Sequence, residues 1–299
     1  MKVRLFGSAL VLLLATAACA DPAPGAGDGG PTGDSGVTGG TGDTGTTHHG
    51  GANDLVLRVS TEGGFVPIEV LRSQIPGFSL YGDGTAITTG AQIEIYPGPA
   101  LPSLIATPVS DEGVQALIQA ALDAGLGEDA QHVDLGNMAI SDMPTTVFTV
   151  VVDGQTHVTT VYALGAVTEQ PDGMSDEAWA ARQALERFAA QVGDLRSWLP
   201  AGSVGEDAPY APAAMRIFVG PYVGDQQLQQ EPIAWPLSDD LATIGRPTDL
   251  GDRCAVLEGA DLDTVLPLAE RANTLTPWTD DAERYSIAFR PLLPDETGC

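Results

Sequence analysis

The sequence predicts an α+β fold: antiparallel β-hairpins with two to three packing helices, behind a disordered N-terminal linker. Two observations carry the hairpins and the helices. First, β-branched and aromatic segments flank Asp-Gly turns at Gly82-Asp83-Gly84 and Asp153-Gly154, and Asp-Gly supplies the positive φ of a primed hairpin turn. Second, one segment carries apolar residues at i, i+3, i+4 and i+7 behind Ser110, which can cap it, and another, from about Ser175 to Leu195, carries an apolar stripe, the pattern of helices with one buried face. Helices set apart from hairpins, rather than alternating with single strands, indicate α+β architecture.

The first elements are not part of the fold. Lys2 and Arg4, the apolar run Leu5–Leu14 and the small residues Ala15–Ala18 have the three-part layout of a secretory signal, too short to span a bilayer as a helix. Cys19 directly after Ala17-Ala18 resembles the lipobox of bacterial lipoproteins, although Thr16 stands where leucine is usual. The resemblance implies a diacylglyceryl thioether on Cys19 and an extracytoplasmic, lipid-anchored protein at the cell membrane or surface. Cleavage after Ala20, releasing a soluble protein, is the other reading of the same residues.

Residues 19–53 are dominated by Gly, Asp, Thr, Pro and Ala, which bury too little surface to offset ordering entropy. As a Gly-rich coil the segment spans on the order of 35 Å. It holds three literal motif matches. Gly25-Ala26-Gly27-Asp28-Gly29-Gly30 lacks the strand and helix of a dinucleotide site, Gly33-Asp34-Ser35-Gly36 lacks a fixed base, and His48-His49 lacks further ligands. All three are read as accidents of composition.

From Asp54 the chain turns globular. Asp54–Val59 reads as a strand, then the hairpin Phe78–Tyr81/Thr85–Thr88, then Gln92-Ile93-Glu94-Ile95-Tyr96, whose alternation predicts a strand with one buried face. A helix follows Ser110, with Asp111 and Glu112 in its first turn, Val114, Leu117, Ile118, Ala121 and Leu122 on its stripe, and Gly125 as its stop. Thr146–Val152 and Thr156–Tyr162 form the second hairpin. A second helix runs from about Ser175 to Leu195 with Ala178, Ala181, Leu185, Phe188 and Val192 inward. Pro200–Pro212 reads as a linker or crossover. Strands are expected near Met215–Val219, Cys254–Leu257 and Tyr285–Arg290, with a helix near Val265–Ala272 carrying Pro267 in its early part. The organisation is thus 1–18 signal, 19–53 linker, 54–199 an α+β domain and 200–299 a C-terminal α+β subdomain.

With Cys19 consumed by lipidation, Cys254 and Cys299 are left as an even pair in an oxidising compartment, which predicts a disulfide between them. Charge narrows the partners. The formal charge is −27, and losing Lys2 and Arg4 with the leader lowers it by two more. Phosphate backbones are repelled, which excludes nucleic acid, and anionic headgroups repel the folded body, which leaves the lipid as the membrane contact. Lys2 is the only lysine, so Schiff-base chemistry and a P-loop are excluded. The acidity is read as a solubility property, as in saline habitats, before a cation-binding one.

No HExxH, CxxC, GxSxG or EF-hand pattern occurs beyond the linker. His132-Val133-Asp134 offers two metal ligands without a third, and His157 sits in a hairpin strand as an ordinary surface residue does. Asp83 and Asp153 suit turn geometry, and Trp179, Trp198, Trp235 and Trp278 read as core or rim residues before a binding face. No catalytic, metal or cofactor site is assigned.

Gly63-Gly64-Phe65, Phe78–Gly84, Ile95-Tyr96-Pro97-Gly98-Pro99 and Arg290-Pro291-Leu292-Leu293-Pro294 resemble an uncharacterised group of secreted or lipid-anchored actinobacterial proteins, a likeness that implies no activity. In layout, residues 58–195 are similar to emfourin-type inhibitors of thermolysin-like metalloproteases, through Gly63-Gly64-Phe65, the helix and the hairpin with His157-Val158. The expected function is therefore a non-catalytic binding role in or outside the cell envelope, its molecular partner left open and a protein of the envelope one candidate. An extracytoplasmic hydrolase using carboxylates, with or without a divalent cation, and an envelope structural protein are the alternatives.

Overall fold

The computed structural model describes residues 50–225 and 227–299, and the leader, Cys19 and the linker motifs up to His49 lie outside them. Among the described residues the chain forms an eight-stranded and a six-stranded sheet with four helices. The α+β expectation is met, and both sheets are mixed.

The first sheet has the order β5-β7-β6-β1-β2-β3-β4-β8. Its strands are β1 (Leu55–Gly63), β2 (Phe78–Tyr81), β3 (Thr85–Thr89), β4 (Leu104–Pro108), β5 (Ala130–His132), β6 (Pro144–Val152), β7 (Gln155–Tyr162) and β8 (Ala208–Pro209). All neighbours pair antiparallel except β5 and β7. Helices α2 (Asp111–Asp123) and α3 (Asp176–Gly193) cover one face through Leu117, Ile118, Leu185 and Phe188, which pack on Leu57, Leu80, Phe148 and Val150.

Both helices begin as their sequences dictate. Ser110 Oγ accepts from Gly113 N–H at 3.3 Å and Ser175 Oγ from Ala178 N–H at 3.1 Å, satisfying amide donors that no helical carbonyl can reach. α2 ends as predicted at Gly125, with Leu126 N–H donating to Ala121 O and Gly125 N–H to Leu122 O, the paired bonds of a Schellman motif. The buried stripe of α3 also holds Arg182, which periodicity does not foresee. Its guanidinium donates to the carbonyls of His132, Tyr162 and Ala163 at 3.1, 2.7 and 3.1 Å, tying the helix to β5 and the end of β7.

The second hairpin turns as predicted: Asp153 and Gly154 both have positive φ, 51° and 74°, the type I′ pattern. The first turns differently. Only Gly84, at 82°, is left-handed, and Gly84 N–H donates to Tyr81 O at 2.9 Å. This is the longer connection that closes on a left-handed glycine rather than a two-residue primed turn. Asp83 instead accepts from Thr85 N–H at 2.8 Å.

The second sheet has the order β10-β13-β14-β9-β12-β11, from β9 (Ala214–Pro221), β10 (Ile233–Ala234), β11 (Arg246–Pro247), β12 (Arg253–Glu258), β13 (Trp278–Asp280) and β14 (Glu283–Pro291). α4 (Gly259–Ala269) covers one face, burying Leu262, Val265 and Ala269 against Met215, Ile217 and Phe289. Pro267 lies near the end of α4, not its beginning. The helix starts at Gly259, six residues before the expected Val265, and the ring is exposed.

The expected strand Gln92–Tyr96 does not form. These residues lie in the connection between β3 and β4, where Ile95 N–H donates to Ile93 O at 3.0 Å, a turn too tight for extended backbone. Gly90 N–H to Ser103 O at 2.8 Å closes the neck of the loop. Its far end reaches the other sheet: Ala100 N–H donates to Ala272 O and Thr274 N–H to Gly98 O, while Ala100 and Leu101 pack on the second core. A short helix, α1 (Ile68–Ser73), packs against β14 from the first-sheet side.

Candidate functional site

A groove of about 1220 Å³ opens where the β3–β4 loop and α1 meet the second sheet. Strand alternation builds its floor. Met215, Ile217 and Val219 of β9 point into the α4 core, so Arg216, Phe218 and Gly220 share the opposite face. β14 pairs with them in register, Ser286 with Gly220, Ala288 with Phe218 and Arg290 with Arg216. The row therefore runs from small residues through an aromatic ring to two guanidiniums, over about 13 Å. The small residues leave the volume of the groove.

The mouth is apolar. Ile93, Tyr96 and Val223 line it at 70%, 69% and 75% exposure, with Ile95 and Leu250 also largely exposed. All five residues of Gln92–Tyr96 line the cavity, so their alternation does not mark one buried face of a sheet.

Arg72, in the last turn of α1, stands at the inner end. It forms an ion pair with buried Asp252 and lies over the Phe218 ring, 5.5 Å from its centroid. Asp252 also accepts from the Thr248 hydroxyl. Arg72 and Phe218 line a second cavity as well, of about 510 Å³, walled by Arg58, Arg216 and Arg290 with Glu62 and Glu296. Four of the chain's twelve arginines thus meet at one cavity of a strongly acidic protein.

Three of the four have carboxylate partners. Arg58 pairs with Asp295 at 2.7 Å, and Arg290 grips Glu296 through both nitrogens at 2.6 and 2.7 Å. Burial pulls the Arg58 pKa down, but the bond it donates to Asp295 and the Tyr81 and Asp295 fields outweigh it, so the net shift is upward. Burial raises the carboxyls of Asp295 and Glu296, yet the bonds from Arg58 and Arg290 hold both below the usual range. Arg216 makes no ion pair among the described residues. It donates to the carbonyls of Gly298 at 2.8 Å and Thr297 at 3.4 Å, and burial, then Arg290, push its pKa down.

These contacts make the segment after β14 a clasp. Asp295 joins Arg58 and Tyr81 of the first sheet, Glu296 joins Arg290 of the second, and Leu293 packs with Tyr81 and Ile87. Tyr210 donates to Leu292 O at 2.8 Å, its own pKa pushed up to about 12 by burial and then by Glu296 and Asp295. The expected disulfide closes the clasp: Cys254 on β12 is bonded to Cys299, with the Cα atoms 5.9 Å apart.

The other sequence candidates do not converge here. His132 is on β5, its pKa lowered by burial and then by the Arg182 charge, an unfavourable neighbour for a cation. Asp134 accepts from Gly136 N–H at 2.8 Å as a turn former, and the described residues contain no group of three His, Cys, Asp or Glu placed to hold a metal. His157 is half-buried opposite Val150. Trp235 and Trp278 are core, stacked edgewise with Phe289, and Trp198 donates to Gln191 O. The groove itself was missed in the sequence. Its trace within a strand is the series Arg216, Phe218, Gly220 between core residues, which has meaning only once its partner strand is known.

No family model matches the chain, and neither the curated proteins nor the solved structures contain a match.

Proposed function

We propose that this protein is a non-catalytic binding protein of the extracytoplasmic side, held to the membrane by a lipid on Cys19, and that its groove takes the apolar part of a ligand. One observation carries the reading: a cavity of about 1220 Å³ whose mouth presents Ile93, Ile95, Tyr96, Val223 and Leu250 to water. The volume exceeds the roughly 300–1000 Å³ of ordinary small-molecule sites, and apolar surface of this kind is retained where something covers it. The titratable lining favours binding over hydrolysis. Two carboxylates line the cavity among the described residues, Glu94 and Asp252, and Asp252 is taken up by Arg72 and Thr248, which leaves Glu94 without a second free carboxylate beside it.

The full-length chain secreted with Cys19→Ser, which carries no acyl group of its own, tests the groove. N-phenyl-1-naphthylamine, a neutral apolar fluorophore, should bind saturably at one site. Ala288→Phe, which fills the floor beside Phe218, should weaken it at least tenfold with the melting temperature retained. Dye binding that does not saturate, or that ignores Ala288→Phe, overturns the reading. The anchor is tested separately: labelled palmitate should enter the wild-type chain and not Cys19→Ser.

A further inference from the structure

We infer that the ligand of this groove is a single-chain amphiphile with an anionic head, its chain lying over Gly220, Ser286 and Ala288 and its head beyond Phe218 at Arg216. The inference rests on the groove reading above and adds the chemical class.

Three features of the floor point to it. The apolar and the cationic cavity are neighbours sharing the same two residues, Arg72 and Phe218. The strand alternation that places Gly220 in the first places Arg216 in the second, on one face and one axis. And the cationic end has one charge left over. Arg58, Arg72 and Arg290 each hold a carboxylate within the protein, whereas Arg216 holds carbonyl oxygens alone. Its guanidinium has five donors in a planar fork, and the two bonds to Gly298 and Thr297 use its Nε and one Nη. Glu62 lies at the exposed rim of this cavity, and Glu296 is occupied by Arg290. A carboxylate or phosphate monoester head fits this charge; a neutral head leaves it unmatched, and a cationic head is repelled by Arg216.

The chemistry also gives Arg72 a part. Held over Phe218 and fixed by Asp252, it lines both cavities at the place where chain and head would join.

The test compares two ligands with the same chain. Hexadecanoate and hexadecanol should each displace N-phenyl-1-naphthylamine from the secreted Cys19→Ser chain, and hexadecanoate should do so about tenfold more tightly, the value of one charge-assisted contact. Arg216→Gln should bring the two together; Arg216→Lys, which keeps the charge, should restore part of the preference. Because Arg216 also holds the clasp, the melting temperature is followed in both variants. If Arg216→Gln does not fold, the acid-to-alcohol ratio of the unaltered groove and its loss in Ala288→Phe decide the matter. Equal displacement by acid and alcohol, with dye binding intact, overturns the anionic head and leaves the apolar groove standing. Failure of both ligands and of the dye removes the groove reading too. A groove closed by a second copy of the chain, seen as a concentration-dependent dimer in sedimentation that neither ligand dissociates, also overturns the inference.

Discussion

Glu296 shows how much one side chain can hold. It meets Arg290 through both oxygens and also accepts from Leu293 N–H at 2.9 Å. Arg290 is 9% exposed, so Glu296→Gln leaves a nearly buried guanidinium without its charge partner. The expected loss is about 2–4 kcal/mol in urea unfolding, below the full cost of breaking a fully buried pair because Glu296 is partly solvated. Acid should act on the same contacts. Asp295 and Glu296 have folded pKa values below their unfolded ones, so their contribution is complete above the unfolded values and is lost as pH falls through the folded ones. The melting temperature should therefore fall below about pH 4–5, and an Asp295→Asn/Glu296→Gln variant should show a flatter acid limb. Neither pair was legible in the sequence: Arg58 and Asp295 stand 237 positions apart, and Arg290 and Glu296, six apart, meet through the turn at Leu293–Glu296. Arg182 is a similar case: its place on an apolar stripe becomes intelligible once three carbonyls are seen to receive it.

At the scale of elements, local signals were good guides where the element satisfies itself. Ser110, Ser175 and Gly125 cap helices through bonds to residues within a few positions, and Asp153-Gly154 adopts the turn its φ preferences allow. Ser110→Ala should cost about 1 kcal/mol by leaving Gly113 N–H without its acceptor, measurable as a shift of the urea midpoint at unchanged m. Gly84→Ala should cost more. The position is left-handed, and an added Cβ would collide with Val109 O where β4 runs into α2. Local signals failed at Gln92–Tyr96. Alternation is shared by a strand with one buried face and by this loop, whose five residues all line the groove and whose Ile93 and Ile95 stay largely exposed. What separates them is a hydrogen-bonding neighbour, and Gly98–Ala100 find theirs at Ala272 and Thr274 instead.

At the scale of the whole molecule, the clasp joins the two sheets, beside α1 on β14 and the β3–β4 loop at Ala272 and Thr274. The segment after β14 touches Arg58 and Tyr81 on one sheet and Arg216 and Arg290 on the other, and Cys254–Cys299 fixes its end. Reduction of this bond, which closes 45 residues, should cost up to about 4 kcal/mol on the chain-entropy view. Guanidinium unfolding with and without a thiol reductant measures it. Because the clasp spans both sheets, Cys299→Ser should also separate their unfolding, so that probes in the two cores no longer report coincident transitions; coincident curves at an unchanged midpoint would show that the sheets hold together without it. By itself, the sequence determined the α+β class, the two hairpins, the capped helices and the pairing of Cys254 with Cys299, since periodicity, turn chemistry and cysteine count act over short range or by elimination. Only the tertiary structure decided that Phe218 and Gly220 form the floor of a groove with Arg216 in the cavity beside it, that Ile93, Ile95 and Tyr96 edge the groove, and that Asp252, Asp295 and Glu296 pair with three of the four arginines next to it. Those facts depend on which face of a strand meets which distant segment, and a cavity is made by what surrounds it rather than by any stretch of chain.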